Sequence, residues 1–304
     1  MISAVIVNYN AGPLLAACID AALPQVDEVM IVDNASSDDS LARLNMRSET
    51  RVPDEARLRV LRNDRNLGFA AACNQGAAAA RGDEVLFLNP DCILAANAVS
   101  RLHDVLRGHS EAGPEVGMVG GLLMNPNGTE QGGARRAIPT PWRSFVRASG
   151  LSRLAGSFPR VFFDFHLHKQ PLPEMPIEVE AISGACMLVH RQAMAAVGPW
   201  DEGYFLHCED LDWCMRFRQK GYRIMFVPDA RIMHALGVCG RARPIFVEWH
   251  KHKGMMRFYR KFFRHQYPGI LMGLVALGVW MRFALSAGYY SVRHAGRLLG
   301  IGRG

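Results

Sequence analysis

The sequence predicts an α/β fold with a mostly parallel central sheet flanked by helices, followed by a helical extension. Strand-like apolar runs alternate with helix-like segments in the first part of the chain, which is the order that parallel sheets require. Several of these runs end abruptly in polar residues, as strands do at the ligand-binding edge of an open sheet. The 304 residues are 49% hydrophobic, which is enough to bury a large core.

The first two predicted strands lead to a polar edge. Residues 2–7 (ISAVIV) and 28–32 (EVMIV) predict buried strands, and a helix is expected between them. The residues that follow these strands directly are Asn8, Tyr9, Asp33 and Asn34. Two successive strands therefore deliver side chains to the same edge of the sheet.

The central strand of the prediction is residues 85–88 (VLFL), which stop at Asn89-Pro90-Asp91. Pro90 cannot continue a strand ladder, so the chain turns there and presents a carboxylate. A metal or a phosphate is expected at this end of a strand, although an ordinary Asx turn also accounts for the residues. Residues 58–62 predict a further strand of the same sheet.

Nucleotide-binding motifs of other folds are missing from the sequence. It has no GxGxxG after the first strand and no GxxxxGK[ST], which argues against dinucleotide-binding and P-loop proteins. A sugar-nucleotide pyrophosphorylase would carry a cationic, Gly-rich loop after its first strand, and NYNAGPLL contains no cation. A nucleotide at this sheet must therefore be held in another way.

Residues 125–176 are rich in Gly, Pro and Arg and predict a lid over the site. The adjacent Arg135 and Arg136 lie within this segment. They either belong to a solvated surface or bind an anionic ligand.

Three acids, Glu209, Asp210 and Asp212, stand at the predicted N-terminus of a helix. They either complement the helix dipole or supply a general base for a substrate hydroxyl. Asp210 and Asp212 lie on different sides of the first turn, so they can have separate roles.

A final strand is predicted at residues 222–227, closing at Pro228, and His234 follows it. A lone histidine in this position is commonly a packed or solvent-facing residue. Imidazole is also a common ligand for transition metals, so His234 is a candidate metal ligand.

Five short segments carry a family resemblance: VIVNYN, VDNASSD, NLGFAAACNQG, LFLNPDC and the later pattern RRxxPTPW. In this order and spacing, the first four resemble the nucleotide-binding half of inverting family 2 glycosyltransferases of the GT-A fold. The last resembles the rhamnosyltransferase-like branch of that family. The resemblance covers residues 2–237. It implies transfer of L-rhamnose from dTDP-L-rhamnose to a cell-surface glycan precursor on a lipid diphosphate.

The resemblance also implies roles for single residues. It places the nucleotide sugar at Asn8, Tyr9, Asp33, Asn34, Asn66, Gly68, Asn89 and Asp91. It makes Asp210 the catalytic base and Asp212 a structural acid. The residues expected to contact the acceptor are Glu209, Trp200, Arg135 and Arg136.

The metal motif of the resembling family is usually Asp-x-Asp, and here it is Asn89-Pro90-Asp91, with one carboxylate missing. The resemblance implies Mg²⁺ or Mn²⁺ on Asp91 and His234 together with the donor diphosphate, since hard ions are often held by one or two carboxylates plus phosphate oxygens. The missing acid leaves an alternative open: a catalytically inactive, membrane-tethered protein that binds carbohydrate or nucleotide sugar.

The net charge of +7 is concentrated near the end of the chain, because residues 241–304 carry +11 and residues 1–240 carry −4. We therefore expect a glycosyltransferase domain over 1–240 and a helical tail over 241–304. Within the domain, residues 1–124 would bind the nucleotide sugar and residues 125–240 the acceptor.

The predicted tail contains an apolar stretch, residues 270–290, whose one charge is Arg282 and which is long enough to cross a bilayer. An arginine inside a span costs about 2.5–3.5 kcal/mol, so lying at the interface is favoured. Residues 250–269 interleave cations with aromatic rings, which favours an anionic membrane surface. The alternatives are a helix pair packed on the domain or between copies of a homo-oligomer. No nucleic-acid motif accompanies the charge, so nucleic acid is not an expected partner.

The seven cysteines include no CxxC pair, which argues against a disulfide framework or a structural zinc site and favours a reducing compartment. The sequence does not open with a basic segment followed by an apolar one, so no signal peptide is expected. We expect a cytoplasmic enzyme that is peripheral on the inner face of the cell membrane.

Overall fold

The computed structural model describes residues 1–44, 57–108, 115–156, 158, 161–162, 165, 167–235 and 243–298. The strands are β1 (Ile2–Asn8), β2 (Glu28–Asp33), β3 (Leu58–Arg62), β4 (Glu84–Leu88), β5 (Cys92–Leu94), β6 (Val116–Met124), β7 (Arg135–Arg136), β8 (Ile177–Glu178), β9 (Ala181–Ile182), β10 (Cys186–His190) and β11 (Arg223–His234). The helices are α1 (Pro13–Ala22), α2 (Phe69–Ala79), α3 (Ala98–Arg107), α4 (Pro141–Ala148), α5 (Arg191–Val197), α6 (Glu209–Gln219), α7 (Pro244–Phe263) and α8 (Gly269–Leu298).

The predicted α/β class is confirmed. A sheet with the strand order β3-β2-β1-β4-β10-β6-β11-β5, with β8 beside β11, forms the centre. Strands β1 to β4, β6 and β11 share one direction, and β5, β8 and β10 run against them. The sheet is therefore mostly parallel, and a separate pair is formed by β7 and β9.

The last long strand corrects one prediction. Pro228 does not close it, because β11 continues to His234 with a register shift between Val227 and Arg231. A proline is tolerated at such an irregularity, where no backbone donor is needed for the ladder. The extension matters for the site, since it carries His234 to the end of the strand.

Aromatic rings pack beneath the start of α6. Trp200 lies 4.3 Å from Trp213 and 5.2 Å from Phe87, measured between ring centroids, and Phe87 lies 5.4 Å from Trp213. All three side chains are buried. Edge-to-face and offset arrangements of this kind stabilise a core beyond the area that they bury. They anchor α6, which carries the three acids, onto the central strand β4.

The chain forms two compact units. The first comprises Met1–Ile138, Phe165–Phe205 and Glu209–Cys239, and contains the whole nine-stranded sheet. The second comprises Pro139–Asp164, Leu206–Cys208 and Gly240–Gly304. Part of the segment predicted as a lid thus belongs to the same unit as the tail helices, and it contains α4.

Within the second unit, α7 packs on α8 through Trp249, whose ring lies 5.3 Å from Trp280 and 5.4 Å from Phe283. Tyr259 of α7 shares a hydrogen bond of 2.7 Å with Ser144 of α4. Burial raises the pKa of Tyr259 to about 12, so the phenol stays protonated even at alkaline pH values near its ordinary pKa of about 10.

Candidate active site

The carboxyl ends of β1 and β2 are joined by buried polar side chains. Asn8 is fully buried, and its Nδ2 donates to Asp33 Oδ1 over 2.7 Å and to Ser40 Oγ over 2.9 Å. Asp33 also accepts from the backbone nitrogen of Ser36 through Oδ2, at 3.2 Å. Asn8 therefore orients Asp33, while Tyr9 lies half-buried directly after it.

Asn34 holds the segment that follows β3. Its Nδ2 donates to Asn66 Oδ1 over 2.9 Å and to the carbonyl of Gly68 over 3.1 Å. Its Oδ1 accepts from Asn63 Nδ2 over 3.1 Å and from the nitrogen of Leu67 over 3.0 Å. The side-chain amide of Asn34 is thus used within the protein, and it shapes the edge around Asp33 by fixing the loop.

Gly68 allows this loop to meet the backbone of Phe205. It has φ +90°, and a Cβ built on it would lie 2.7 Å from the carbonyl oxygen of Phe205. The same carbonyl accepts from the nitrogen of Phe69 over 2.9 Å. A side chain at Gly68 would separate the two segments and carry a strained backbone as well.

Asp91 and His234 are brought together, as the resemblance implies. Asp91 Oδ1 lies 3.2 Å from His234 Nε2, and the two side chains are only 5% and 8% exposed. The pairing of β5 with β11 puts Cys92 opposite His234, and the nitrogen of Ala235 donates to the carbonyl of Asp91 over 3.0 Å. Asn89 completes the cluster with its Nδ2 3.4 Å from His234 Nε2.

Gln131 determines which ring nitrogen of His234 carries the proton in the neutral ring. Its Nε2 lies 3.3 Å from the carbonyl oxygen of His234 and 3.2 Å from Asn125 Oδ1, both of which accept hydrogen bonds. Its Oε1 is therefore the atom that lies 2.6 Å from His234 Nδ1. An amide oxygen can only accept, so Nδ1 carries the proton, and in the neutral ring the lone pair of Nε2 points to the carboxylate.

A carboxylate oxygen and an imidazole lone pair that lie 3.2 Å apart could bind one metal ion together. Asp91, Cys92 and His234 have candidate ligand atoms within 4.8 Å of one another. Burial, and then the nearby Cys186 and Asp91, raise the pKa of the Cys92 thiol well above its usual range, and its Sγ donates to the carbonyl of Ala185 over 3.4 Å. The remaining oxygen and nitrogen ligands fit Mg²⁺ or Mn²⁺ completed by phosphate oxygens.

Asp210 lies at the start of α6 with a side chain that is 15% exposed. Its Oδ1 accepts from the nitrogen of Leu211 over 2.8 Å, and its Oδ2 accepts from the nitrogen of Gly184 over 3.2 Å. Oδ2 also forms an ion pair with the guanidinium of Arg136. The structure thus joins two residues that the sequence could only place in separate segments.

The other two acids of α6 are more deeply buried. Asp212 is completely buried, accepts from Tyr204 over 3.1 Å and forms an ion pair of 2.7 Å with Arg216. This agrees with the structural role that the resemblance implies for it. Glu209 is 7% exposed.

Two residues predicted to contact the acceptor are deeply buried. Arg135 is 2% exposed and its guanidinium binds both oxygens of Glu130, at 2.9 and 3.1 Å, as well as two backbone carbonyls. Trp200 is 2% exposed and belongs to the aromatic core. Both side chains are enclosed by the protein in this structure, and their contact with the acceptor stays a prediction.

Comparison with known proteins identifies the family. A family model described as glycosyl transferase family 2 matches residues 3–122, and one described as glycosyl transferase family group 2 matches residues 136–295, more than half of the chain. This chain belongs to glycosyltransferase family 2. The resemblance inferred from the five sequence segments is therefore confirmed.

Relatives of this family 2 glycosyltransferase include the N-acetylglucosaminyl-diphospho-decaprenol L-rhamnosyltransferase of Mycobacterium tuberculosis (strain ATCC 25618 / H37Rv). It is 29% identical over 245 residues, which are 76% of this chain and 74% of that protein. Rhamnosyltransferase WbbL of Escherichia coli (strain K12) is 32% identical over 78 residues, 24% of this chain and 30% of that one.

A solved structure confirms the fold. The mannosyltransferase PcManGT from Pyrobaculum calidifontis, in complex with GDP-Man and Mn²⁺, is similar over 98% of this chain and 80% of its own, with a TM-score of 0.55 and 19% identity. The family 2 glycosyltransferase thus has the GT-A fold that the sequence predicted, followed by long C-terminal helices.

Sequence reasoning missed Gln131, because it lies in a Gly-rich segment 103 residues from His234. The available signal was weak: a polar residue that can both accept and donate, close after a strand. Its role becomes visible only when β6 and β11 pair side by side.

Proposed function

We propose that this family 2 glycosyltransferase moves L-rhamnose from dTDP-L-rhamnose to a saccharide on a polyprenyl diphosphate, with inversion at the anomeric carbon. The observation that carries the proposal is the similarity, over 76% of the chain, to an L-rhamnosyltransferase whose name gives N-acetylglucosaminyl-diphospho-decaprenol as its acceptor. The product would be a precursor of a cell-surface glycan.

The nucleotide would bind along the edge formed by Asp33, Asn66 and Gly68, with Tyr9 beside it. Asn8 and Asn34 would act through these residues, since their own amides hold Asp33 and the Asn66 loop. A carboxylate such as Asp33 can accept a hydrogen bond from a ring N–H of a base. This bond would fix the orientation of the base in the pocket.

Asp91 and His234 would hold Mg²⁺ or Mn²⁺, with Asn89 beside them. When bound, such an ion supplies charge stabilisation to the diphosphate that leaves the sugar. PcManGT, which shares the fold, forms a complex that contains Mn²⁺. Gln131 would keep the His234 lone pair directed at the ion, as a hydrogen-bonded outer partner commonly does.

Asp210 would accept the proton of the acceptor hydroxyl. The hydroxyl oxygen forms a bond to the anomeric carbon, the bond from that carbon to the donor diphosphate breaks, and the electron pair leaves with the diphosphate. Attack opposite the leaving group inverts the configuration in one step. Glu209, next to the base, and Arg136 are the residues that we assign to the acceptor.

The second unit would hold the enzyme at an anionic membrane surface on the cytoplasmic face. Among the described residues, one helical stretch, Gly269–Ala295, is long and apolar enough to cross a bilayer, and 6% of its most apolar window is buried. Its large apolar side chains that are exposed recur every three or four residues and so form one stripe, which includes Ile270, Leu274, Leu277, Met281 and Leu285. Arg282 within this helix favours an interfacial position over a span.

Membrane attachment can be tested without removing the tail, which would also break the bond between Tyr259 and Ser144. Leu274, Leu277 and Leu285 are changed together to Asn and compared with the parent in flotation on vesicles with and without anionic lipid. The parent should float and the variant should stay in solution. Equal flotation of the two proteins would assign the stripe to another role. A parent that is a dimer by light scattering, with a variant that is a monomer, would assign the stripe to the interface of a homo-oligomer.

The proposed reaction is tested with purified protein, Mg²⁺ or Mn²⁺, a panel of nucleotide sugars and a short-chain polyprenyl-diphosphate acceptor. Mass spectrometry should detect transfer of a deoxyhexose from dTDP-L-rhamnose in preference to the other donors. Preferred transfer from another donor would refute the assignment of the sugar. Donor binding without any transfer would favour the inactive binding protein.

A further inference from the structure

Arg136 holds one oxygen of the proposed base. Its guanidinium pairs with Asp210 Oδ2, and the nitrogen of Leu211 donates to Oδ1 over 2.8 Å. A general base must bring a carboxylate oxygen to the hydroxyl that it deprotonates. Oδ2 accepts from Arg136 and also from the nitrogen of Gly184, which together occupy both of its lone pairs. Oδ2 can therefore meet the hydroxyl only after Arg136 has moved, so this ion pair controls the use of Oδ2 in the reaction that we propose.

The geometry makes Arg136 able to exchange partners. It lies on the two-residue strand β7, donates to the carbonyl of Ile182 over 3.3 Å, and its side chain is 21% exposed. The neighbouring Arg135 is enclosed and binds Glu130 through two hydrogen bonds. Partly exposed ion pairs contribute little to stability, whereas guanidinium groups bind phosphate oxygens strongly and in a fork geometry.

We propose that Arg136 makes transfer depend on an anionic acceptor. The diphosphate of the acceptor takes the guanidinium from Asp210, and the released carboxylate accepts the proton of the acceptor hydroxyl. This inference rests on the proposed function and adds a condition to it. Water and uncharged sugars meet a carboxylate that is still paired, so hydrolysis of the donor is suppressed.

The competition for Arg136 can be measured without any transfer. Butyl diphosphate, which carries no sugar, is titrated into the protein in EDTA and the heat of binding is recorded. Asp210→Asn removes the competitor of the probe and should tighten binding by about threefold, the size expected for a partly exposed pair. Arg136→Gln should weaken it by at least that much.

Asp229→Asn is the control for charge alone, because Asp229 is an exposed acid of the same unit. It should bind butyl diphosphate as the parent does. Equal affinities of the Asp210→Asn and Asp229→Asn variants would overturn the proposal. This outcome does not depend on which sugar the enzyme transfers, so it is distinguishable from failure of the proposed function.

Kinetics supply the second test. Two acceptors with the same sugar are compared, an alkyl glycoside and its alkyl-diphosphate counterpart, and kcat/KM is measured for each. The parent should favour the diphosphate by more than about tenfold, and Arg136→Gln should bring the two within about threefold. Arg136→Lys should keep part of the preference. A variant that loses both activities equally, with the ratio unchanged, would show that Arg136 merely positions Asp210.

Discussion

The proposed metal ligands, Asp91 and His234, and the proposed base with its partner, Asp210 and Arg136, differ in how firmly the fold holds them. Asp91 and His234 are 5% and 8% exposed and stand at the ends of paired strands, with Gln131 fixing the imidazole. Asp210 and Arg136 are 15% and 21% exposed and lie on a first helical turn and a two-residue strand. We infer from this difference that the proposed metal site is held rigidly by the fold, whereas the proposed base lies in a pair that can change partners.

The largest expected effect is that of replacing Asp210, which belongs to the more exposed pair. Asp210→Asn keeps the shape of the side chain but removes the proton acceptor, so transfer should fall by about 10²- to 10⁴-fold. Donor affinity should change little, because the base acts only when the acceptor attacks. Initial rates and calorimetry with dTDP-L-rhamnose measure the two quantities. Transfer within about tenfold of the parent would place the base elsewhere.

The next largest effect is expected on donor binding when either residue of the buried pair, Asp91 or His234, is replaced. Asp91→Ala and His234→Ala should each weaken Mn²⁺-dependent donor binding by at least about tenfold, since each removes one of two protein ligands. EDTA should weaken the parent in the same way and leave both variants nearly unchanged. Calorimetry with and without EDTA decides the matter. If EDTA leaves the donor affinity of the parent unchanged, donor binding does not depend on a metal.

A smaller effect is expected from the residue that orients His234. Gln131→Met keeps the length but not the acceptor for Nδ1, and should lower Mn²⁺ affinity by about tenfold or more. Gln131→Glu restores an acceptor and should bind Mn²⁺ within a few-fold of the parent. Electron paramagnetic resonance of free Mn²⁺ gives both affinities. If the two variants lose affinity equally, Gln131 has only a packing role.

The smallest effect concerns the second unit. His252 of α7 is buried, its Nδ1 donates to the carbonyl of Glu248 over 2.7 Å, and no residue in the described part of the chain bonds its Nε2. Burial lowers the pKa of His252 below its ordinary range. Stability is therefore present above the unfolded pKa of about 6.5 and is lost as the pH falls through the folded value.

Thermal unfolding at pH 7.5 and pH 5.5 tests this prediction. The parent should lose more stability on acidification than His252→Phe, which keeps a ring beside Phe283 but cannot titrate. Other groups also titrate in this range, so the comparison is the difference between the two proteins. An equal acid loss in both would remove His252 as its source.

The sequence predicted the strands of the central sheet better than the contacts of Arg136 and Asp210. The strands at residues 2–7, 28–32, 58–62 and 85–88 are all present. Three of them are short, mainly apolar runs that end at polar or turn residues, as buried strands do, and 58–62 is apolar apart from Arg59 and Arg62. Pro228 was misleading, since a register shift in β11 absorbs it. Such a shift depends on the neighbouring strand, which the local sequence does not show.

Adjacent residues show most clearly where sequence reasoning stops. Arg135 and Arg136 have the same chemistry, yet successive residues of a strand face opposite sides, so one is enclosed with Glu130 and the other reaches Asp210. The alternation was available from a strand assignment, but a two-residue strand has no pattern of its own. The role of Gln131 could not be predicted either, because it depends on the pairing of strands that are distant in the sequence.

The configuration of the product decides whether Asp210 drives a single displacement on a nucleotide-activated rhamnose. NMR of the sugar transferred to a diphosphate-linked acceptor should show only the anomeric configuration opposite to that of the donor, and Asp210→Asn should yield at most about a hundredth of this product in the same time. A product that retains the configuration of the donor would rule out a single displacement.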